Sequence, residues 1–488
     1  METLYQKLKE YGDSDFYPYH MPGHKRRLSG NIPEEVMKLD ITEIDGFDNL
    51  HQAEGIIKEL QEKAAKLYGA EESFYLVNGS TCGILSAISA AMPNGGHILM
   101  ARNSHKSTYH AAYLKNLTIS YLYPPYMSEY DIFGAITWEQ VEKALETNPD
   151  VGAVFLVSPT YEGRIADIEK IAEVVHAKGI PLIVDEAHGA HLGLAENFPL
   201  NSCRRGADIV IHSVHKTLPS MTQTALLHVN GGLINRSRLK RYLHIYQTSS
   251  PSYVLMASID NALRIVEEQG EKLFQDFREN YMQLLKKLEA CKHLKFVPFD
   301  EEKQDVGKLV ISSNNKGLSG QQIYDMLLTD YHLQLEMAAG SYCLAMFTIG
   351  DSSEAYERLE QALLAIDAKL EAMQEQSQSI TVQMKGVYSD ESNTDEWENN
   401  SNCDSSNSVI PLAQAWEMDA EVISLEKAVG RHVADFINLY PPGVPLLVPG
   451  EMLCRKQYEQ LLQYRELGLS VQGIEENAPY NIKVLKTD

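Results

Sequence analysis

Between residue 74 and about residue 255, short apolar runs alternate with longer stretches of helical pattern. The runs are Phe74–Val77, His97–Ala101, Ser120–Tyr123, Ala153–Val157, Leu182–Asp185, Ile209–Ser213 and Ala225–His228. Each is too short for a helix, and turn or polar residues bound it, as expected of buried strands. Strands that alternate with helices build layered α/β domains. The pattern therefore predicts a doubly wound, mostly parallel sheet.

Two of the runs end on residues suited to chemistry. Asp185 closes Pro181-Leu-Ile-Val184, and Lys216 follows Asp208-Ile-Val-Ile211 in Ser213-Val-His-Lys216-Thr. The C-terminal ends of neighbouring parallel strands face the crevice where open α/β sheets bind ligands. A lysine beside a carboxylate suits pyridoxal phosphate (PLP). The amine condenses with the aldehyde, and the carboxylate keeps the pyridine nitrogen protonated so that the ring can act as an electron sink. Taken singly, a lysine after a strand is ordinarily solvated, and an aspartate there often caps a helix. A third element precedes the pair. Val77-Asn-Gly79-Ser80-Thr81-Cys-Gly83 leads from an apolar run into a small-residue helical stretch, Ile84 to Met92. Backbone N–H groups at a helix start, with two hydroxyls, form a phosphate cradle. Phosphate turn, aspartate and lysine, in that order, define one cofactor site.

With these residues the chain resembles PLP enzymes of the aspartate aminotransferase fold type. More narrowly, it resembles the ornithine/lysine/arginine decarboxylases in the short form of Gram-positive bacteria. The resemblance includes His20-Met-Pro-Gly-His24, Asp40-Ile-Thr-Glu43-Ile-Asp-Gly-Phe-Asp48, Asn78-Gly-Ser-Thr81, Arg102-Asn-Ser-His105 and Asp185-Glu-Ala-His188. It continues with His212-Ser-Val-His-Lys216, Thr248-Ser-Ser-Pro-Ser-Tyr253 and Tyr440-Pro-Pro-Gly-Val-Pro-Leu-Leu-Val-Pro-Gly-Glu451. Many PLP enzymes share the Asp/Lys pair, whereas the first and last motifs are specific to the decarboxylase group. The resemblance implies decarboxylation of a basic amino acid in polyamine-related metabolism, with arginine favoured over lysine and ornithine. It also implies a homodimer or higher homo-oligomer. An aminotransferase or acyl-condensing enzyme of the same fold is the alternative, since Asp-Glu-Ala-His-Gly also occurs in condensing relatives.

At the site, Lys216 must be neutral to attack an aldehyde, so its surroundings should lower its pKa. Asp185 is the partner of the pyridine N–H, and Ala187 is small enough to let the ring lie flat. Gly79, Ser80 and Thr81 are the phosphate turn. From the resemblance, His105 stacks on the ring opposite the alanine, Ser213 touches phosphate, and His215 lies near the substrate carboxylate. Thr248 reaches the phosphate of the neighbouring subunit. His188 stands where the large enterobacterial enzymes carry a bulky aromatic, and is assigned to the substrate. Glu451 is assigned to the substrate's distal cation, which a carboxylate can grip bidentately if it is a guanidinium. His20, His24 and Asp48 are weaker candidates for entrance or cross-subunit contacts. His188 and His191 lack a third clustered ligand, so no metal is expected.

A formal net charge of -24 argues against nucleic acid as a partner, because that requires a basic footprint. The sequence contains no apolar run long enough for a membrane span and no apolar signal core at the N-terminus. Six cysteines without CxxC spacing fit reduced cytoplasmic thiols. The expected organisation is an N-terminal arm (1–50), a large PLP-binding domain (51–290) and a small α+β domain (291–375). An acidic Ser/Asn-rich linker (376–408) and a C-terminal domain (409–488) follow. In the small domain the strand candidates are Lys308–Ser312 and Ala345–Ile349.

Overall fold

The apolar runs assemble into one seven-stranded sheet. Its strands are β1 (Glu72–Leu76), β2 (His97–Ala101), β3 (Thr118–Leu122), β4 (Val151–Val157), β5 (Leu182–Asp185), β6 (Ile209–His212) and β7 (Ala225–Val229). They lie in the order β1-β7-β6-β5-β4-β2-β3. Strands β3, β2, β4, β5 and β6 are parallel to their neighbours. The exception is β7, which is antiparallel to both β6 and β1. A parallel return needs a long crossover, usually a helix. The segment after β6 holds only the four-residue helix Val214–Thr217, so the chain turns back beside the strand it has just left. The computed structural model describes residues 3–26, 30–313, 318–377, 409–439, 444–466, 468–475 and 480–486. From residue 378 onward the expected acidic linker lies outside the described residues.

Alternation along each strand feeds two cores. Ile98, Met100, Ile183, Ile209 and Ile211 point to one face, where helices Gly79–Ala91, Lys106–Leu114 and Arg236–Tyr246 pack. Leu99, Leu182, Val184 and Val210 point to the other, with helices Trp138–Thr147 and Ile168–His176. Helix Gly79–Ala91 lies close against the sheet at Gly83, where a Cβ would stand 2.7 Å from the Leu76 side chain. Glycine is what lets the helix approach that closely.

The 36-residue helix Tyr253–Leu288 carries the chain into the small domain. Helix Leu4–Asp13 packs along it, with Leu4 and Leu8 fully buried and the Leu4 N–H donating to Asp260 at 3.0 Å. The small domain is a four-stranded antiparallel sheet of Leu294–Phe296, Lys308–Ser313, Tyr342–Met346 and Met337–Ala338. The strand expected at Ala345–Ile349 is Tyr342–Met346 instead. Its partner begins at Lys308, which pairs with Met346, so the ladder has no register for 347–349.

The C-terminal part pairs Ala420–Ser424 with Asn481–Leu485 and sets Ile437–Leu439 between Pro445–Leu447 and Val471–Gln472. It has its own core of Leu425, Val433, Leu461 and Ile482. Leu412, Phe436 and Val448 join the core of the large domain, so the two parts are packed together. Among the described residues, no helix is long and apolar enough to cross a membrane.

Candidate functional site

Asp185 is the last residue of β5 and is buried. One strand over, β6 ends at His212; Ser213 caps the short helix that carries Lys216. The expected carboxylate and lysine therefore stand at adjacent strand ends. Burial holds the Lys216 pKa below its ordinary value, against the opposing pull of Asp185 and Glu336. Burial raises the Asp185 carboxyl, and the charge of Lys216 and an N–H from Ala187 at 3.1 Å oppose that rise.

The phosphate turn expected at Gly79, Ser80 and Thr81 forms the first turn of helix Gly79–Ala91. Gly79 has φ +71°, and an added Cβ would meet open space. The constraint at this position is thus backbone handedness rather than room. Ser80 and Ser213 bring their hydroxyls within 2.8 Å of each other, which joins the helix start to the lysine segment. Asn78 caps the helix without a side-chain hydrogen bond, and its buried Oδ1 finds no partner among the described residues. The first-turn N–H groups and the two hydroxyls form a polar cradle at the helix start, joined to the lysine segment through Ser213. This donor set, with a lysine and a buried carboxylate, fits a phosphorylated pyridine aldehyde.

Three histidines surround the lysine, and all are held neutral. His105 caps helix Lys106–Leu114 by accepting the Ser107 N–H at Nδ1 (3.2 Å). Burial, reinforced by Lys216, pushes its pKa down to about 4. Burial also lowers His215, whose Nδ1–H donates to the Thr224 carbonyl at 2.8 Å. Burial lowers His188 furthest, with Lys216 and Lys308 adding to the effect. His188 Nε2 is 3.1 Å from Lys216 Nζ, its Nδ1 is 2.8 Å from Lys308 Nζ, and its ring meets Tyr161 edge-on at 4.6 Å.

Sequence reasoning missed Lys308, which is 1% exposed and arrives from the small domain. Burial brings its pKa down to about 8. A lysine opening an apolar run, Lys308-Leu-Val-Ile311, was a signal, since a charged residue at a buried strand start calls for a partner. Three acids, Asp305, Glu336 and Glu162, act electrostatically on this lysine. Tyr161 donates a hydrogen bond to Glu336, and Tyr342 donates one to Glu162 at 2.8 Å.

Behind Asp185, Glu186 begins a buried polar chain. It accepts from the Ser202 N–H and hydroxyl and meets His212 Nε2 at 2.7 Å. His212 Nδ1 lies 3.0 Å from His228 Nε2, and His228 Nδ1 lies 2.6 Å from the Ser73 hydroxyl. Burial raises Glu186 to about 8 and lowers His212 to about 3, so both are neutral at pH 7 and the carboxyl donates to the ring. One direction of donation then runs from Glu186 to Ser73, tying β1, β7 and β6 to the residue after Asp185.

Ala187, two residues after Asp185, is buried and donates its N–H to that carboxylate. Glu451, assigned to the substrate's distal cation, has partners within the chain. Its carboxylate is paired with Arg102 at 3.0 Å and accepts the Val448 N–H at 2.9 Å. Arg102 is buried and also donates to the carbonyls of Pro445 and Leu446. The pair pins the 445–451 loop to the end of β2, so the charge of Glu451 is already matched within the chain. The Thr248 side chain is exposed and accepts the nearby Ser250 N–H at 3.3 Å. Asp48 accepts the N–H groups of Gly55 and Ile57 at 2.8 and 2.9 Å, so it anchors the start of helix Ile56–Tyr68. His20 pairs with Tyr11 at 2.6 Å and His24 with Asp40 at 3.3 Å.

Residues 2–306 match the family described as Orn/Lys/Arg decarboxylase, major domain, and residues 410–477 match Orn/Lys/Arg decarboxylase, C-terminal domain. The chain is 31% identical to an arginine decarboxylase of Bacillus subtilis, covering 99% of this chain and 97% of that relative. Among solved structures, the constitutive lysine decarboxylase of E. coli superposes with a TM-score of 0.80 at 19% identity, covering 99% of this chain and 82% of that one. Lysine decarboxylase A of Pseudomonas aeruginosa gives the same TM-score, 0.80, and the same identity, 19%, over 100% of this chain and 80% of that one.

Proposed function

We propose, from the premise that this chain belongs to the Orn/Lys/Arg decarboxylase family and is a basic amino-acid decarboxylase, that it uses PLP and prefers arginine over lysine and ornithine. The observation that carries the cofactor assignment is Lys216 beside the buried Asp185 at adjacent strand ends, next to the cradle at Gly79. When bound, PLP supplies the electron sink that accepts the electron pair left at Cα as CO2 departs.

The protein's own residues bind, orient and hold protons. The first-turn N–H groups at Gly79, Ser80 and Thr81, with the Ser213 hydroxyl, would hold the phosphate. Asp185 would pair with the ring nitrogen, with Ala187 and the neutral His105 ring on the two faces. Lys216 is the covalent attachment point, and its lowered pKa keeps the amine nucleophilic. His188 turns Nε2 toward Lys216, 3.1 Å from its Nζ, where it can serve the reacting atoms. His215 is held through Nδ1 by the Thr224 carbonyl, which leaves Nε2 as its acceptor for the substrate. Tyr161 and Lys308, arriving over the crevice from outside the sheet, narrow the access of water.

Glu336 and Glu162 are better placed than Glu451 to receive the substrate's distal cation, because both already act on the site lysines. Each carboxylate takes a tyrosine hydroxyl at Oε1, leaving its second oxygen for a guanidinium. The name of the Bacillus subtilis relative supports arginine. The test is to incubate the PLP-loaded protein separately with arginine, lysine and ornithine, then measure CO2 and identify the amine. The highest kcat/KM is expected with arginine; a higher value with lysine would reverse the preference. Glu336→Gln should lose a charge-assisted contact of about 1.5–3 kcal/mol. That is roughly a ten- to hundredfold fall in kcat/KM, with cofactor absorbance unchanged. Wild-type kcat/KM with all three amino acids would remove Glu336 from this role.

The active unit is proposed to be a homodimer or a multiple of it. Phe16, Tyr17, Tyr19 and Met21 form a run of exposed apolar side chains, with Tyr19 90% exposed. Exposed apolar patches mark interaction surfaces, and the exposed Thr248 suits a residue that serves a neighbouring subunit. Light scattering at assay concentration should find no active monomer. A fully active monomer would contradict the assignment.

A further inference from the structure

Lys308 opens the strand Lys308–Ser313 and is fully buried, at 1% exposed. A lysine is almost never fully buried unless paired. Here its hydrogen-bond partner is a ring nitrogen, His188 Nδ1 at 2.8 Å, and the Tyr161 face lies 5.6 Å from Nζ. The other nitrogen of the same imidazole, Nε2, is 3.1 Å from Lys216 Nζ. One histidine thus bridges two lysines that come from different domains.

The polarity of the bridge follows from donor chemistry. An ammonium has three donors and no acceptor. Two lysines joined through one neutral imidazole cannot both be ammonium, since the ring offers one acceptor and one donor. Lys216 must be neutral to attack an aldehyde, so the charge is placed on Lys308, whose Nζ has the Tyr161 face 5.6 Å away to rest on. Resting on the assignment of Lys216 as the cofactor-binding lysine, we propose that Lys308 is a positioning residue. It donates to His188 Nδ1, fixes that ring as the Nε2–H tautomer, and so presents a donor to a neutral Lys216 amine.

The charged and titratable groups facing Lys216 bear on the outcome. Asp185 and Glu336 favour its protonated form. His105, His188 and His215 face it in neutral form. Lys308, across the His188 ring, is coupled to Lys216 by like-charge repulsion. Removing that cation should therefore make Lys216 easier to protonate.

Three measurements on the full-length protein test the role. Competitive acetylation of the cofactor-stripped chain, read by mass spectrometry, gives the pH midpoint of Lys216. Lys308→Met should raise that midpoint by about one pH unit, and Lys308→Arg should restore it. Nitrogen NMR of histidine-labelled wild type should show His188 protonated at Nε2, and Lys308→Met should yield a mixture of tautomers. In the holoenzyme, Lys308→Met should lower kcat more than it changes KM. An unmoved Lys216 midpoint in a folded Lys308→Met protein would overturn the proposal. So would a wild-type His188 protonated at Nδ1, a result that needs no variant to fold. Borohydride reduction of the wild-type holoenzyme separates the two levels. Failure to fix the cofactor at Lys216 removes the site assignment itself, whereas an unmoved midpoint removes only the role of Lys308.

Discussion

Lys216→Ala protein is expected to lose about 10⁴-fold or more in turnover, the scale at which a nucleophile that also serves proton transfer is removed. The side chain projects from a four-residue helix between Ser213 and Leu218, a segment fixed on both sides by buried neighbours. Burial favours the neutral form of its amine, the form that attacks an aldehyde. Lys308 does not replace it, because its Nζ lies on the far side of the His188 ring. Purified wild type should be yellow, and borohydride should fix the cofactor on the peptide containing Lys216. The alanine variant should be colourless after desalting and give no reducible link. A Lys216→Ala protein that still forms such a link would remove the assignment.

Asp185→Asn should keep the fold and lose most turnover. The amide can still accept the Ala187 N–H, so the local backbone arrangement has no reason to change. What disappears is a buried negative charge facing the place of the ring nitrogen. Loss of one partner of a desolvated charge pair costs about 2–5 kcal/mol, a fall in kcat of roughly thirty- to several-thousandfold. Stability should move the other way. Burial raises the folded-state pKa of Asp185, so its stabilising contribution belongs to acidic solution and is lost as pH rises through that pKa. At pH 7 the ionised carboxylate therefore costs stability, and the asparagine variant should melt no lower than wild type. Near-normal kcat would contradict the charge-partner role, and a clearly lower Tm would show that the carboxylate is structural.

The two halves of the site differed in how readable they were. Asp185, Ser213 and Lys216 follow directly from apolar runs of strand length, because a parallel strand must end where its apolar run ends. The Gly79 turn was readable for a similar local reason, although its residues form the helix's first turn rather than a loop before it. Glu451 shows the limit. Its motif was plain, but its partner Arg102 lies 349 positions away, and nothing local joins them. The antiparallel β7 was also hidden, since its composition matches that of its parallel neighbours.

The sequence by itself determined the alternation of strands and helices, the strand end at Asp185 and the order of cradle, aspartate and lysine, because hydrophobic period and turn chemistry act over a few residues. Only the tertiary structure decided which groups face Lys216. His188 meets Lys308 across 120 positions, and the Glu186–His212–His228–Ser73 chain crosses three strands of the sheet. Burial then decides protonation: the same histidine or lysine is charged in water and neutral or shifted where water is excluded. That exclusion depends on how the small domain closes over the sheet, which no local pattern records.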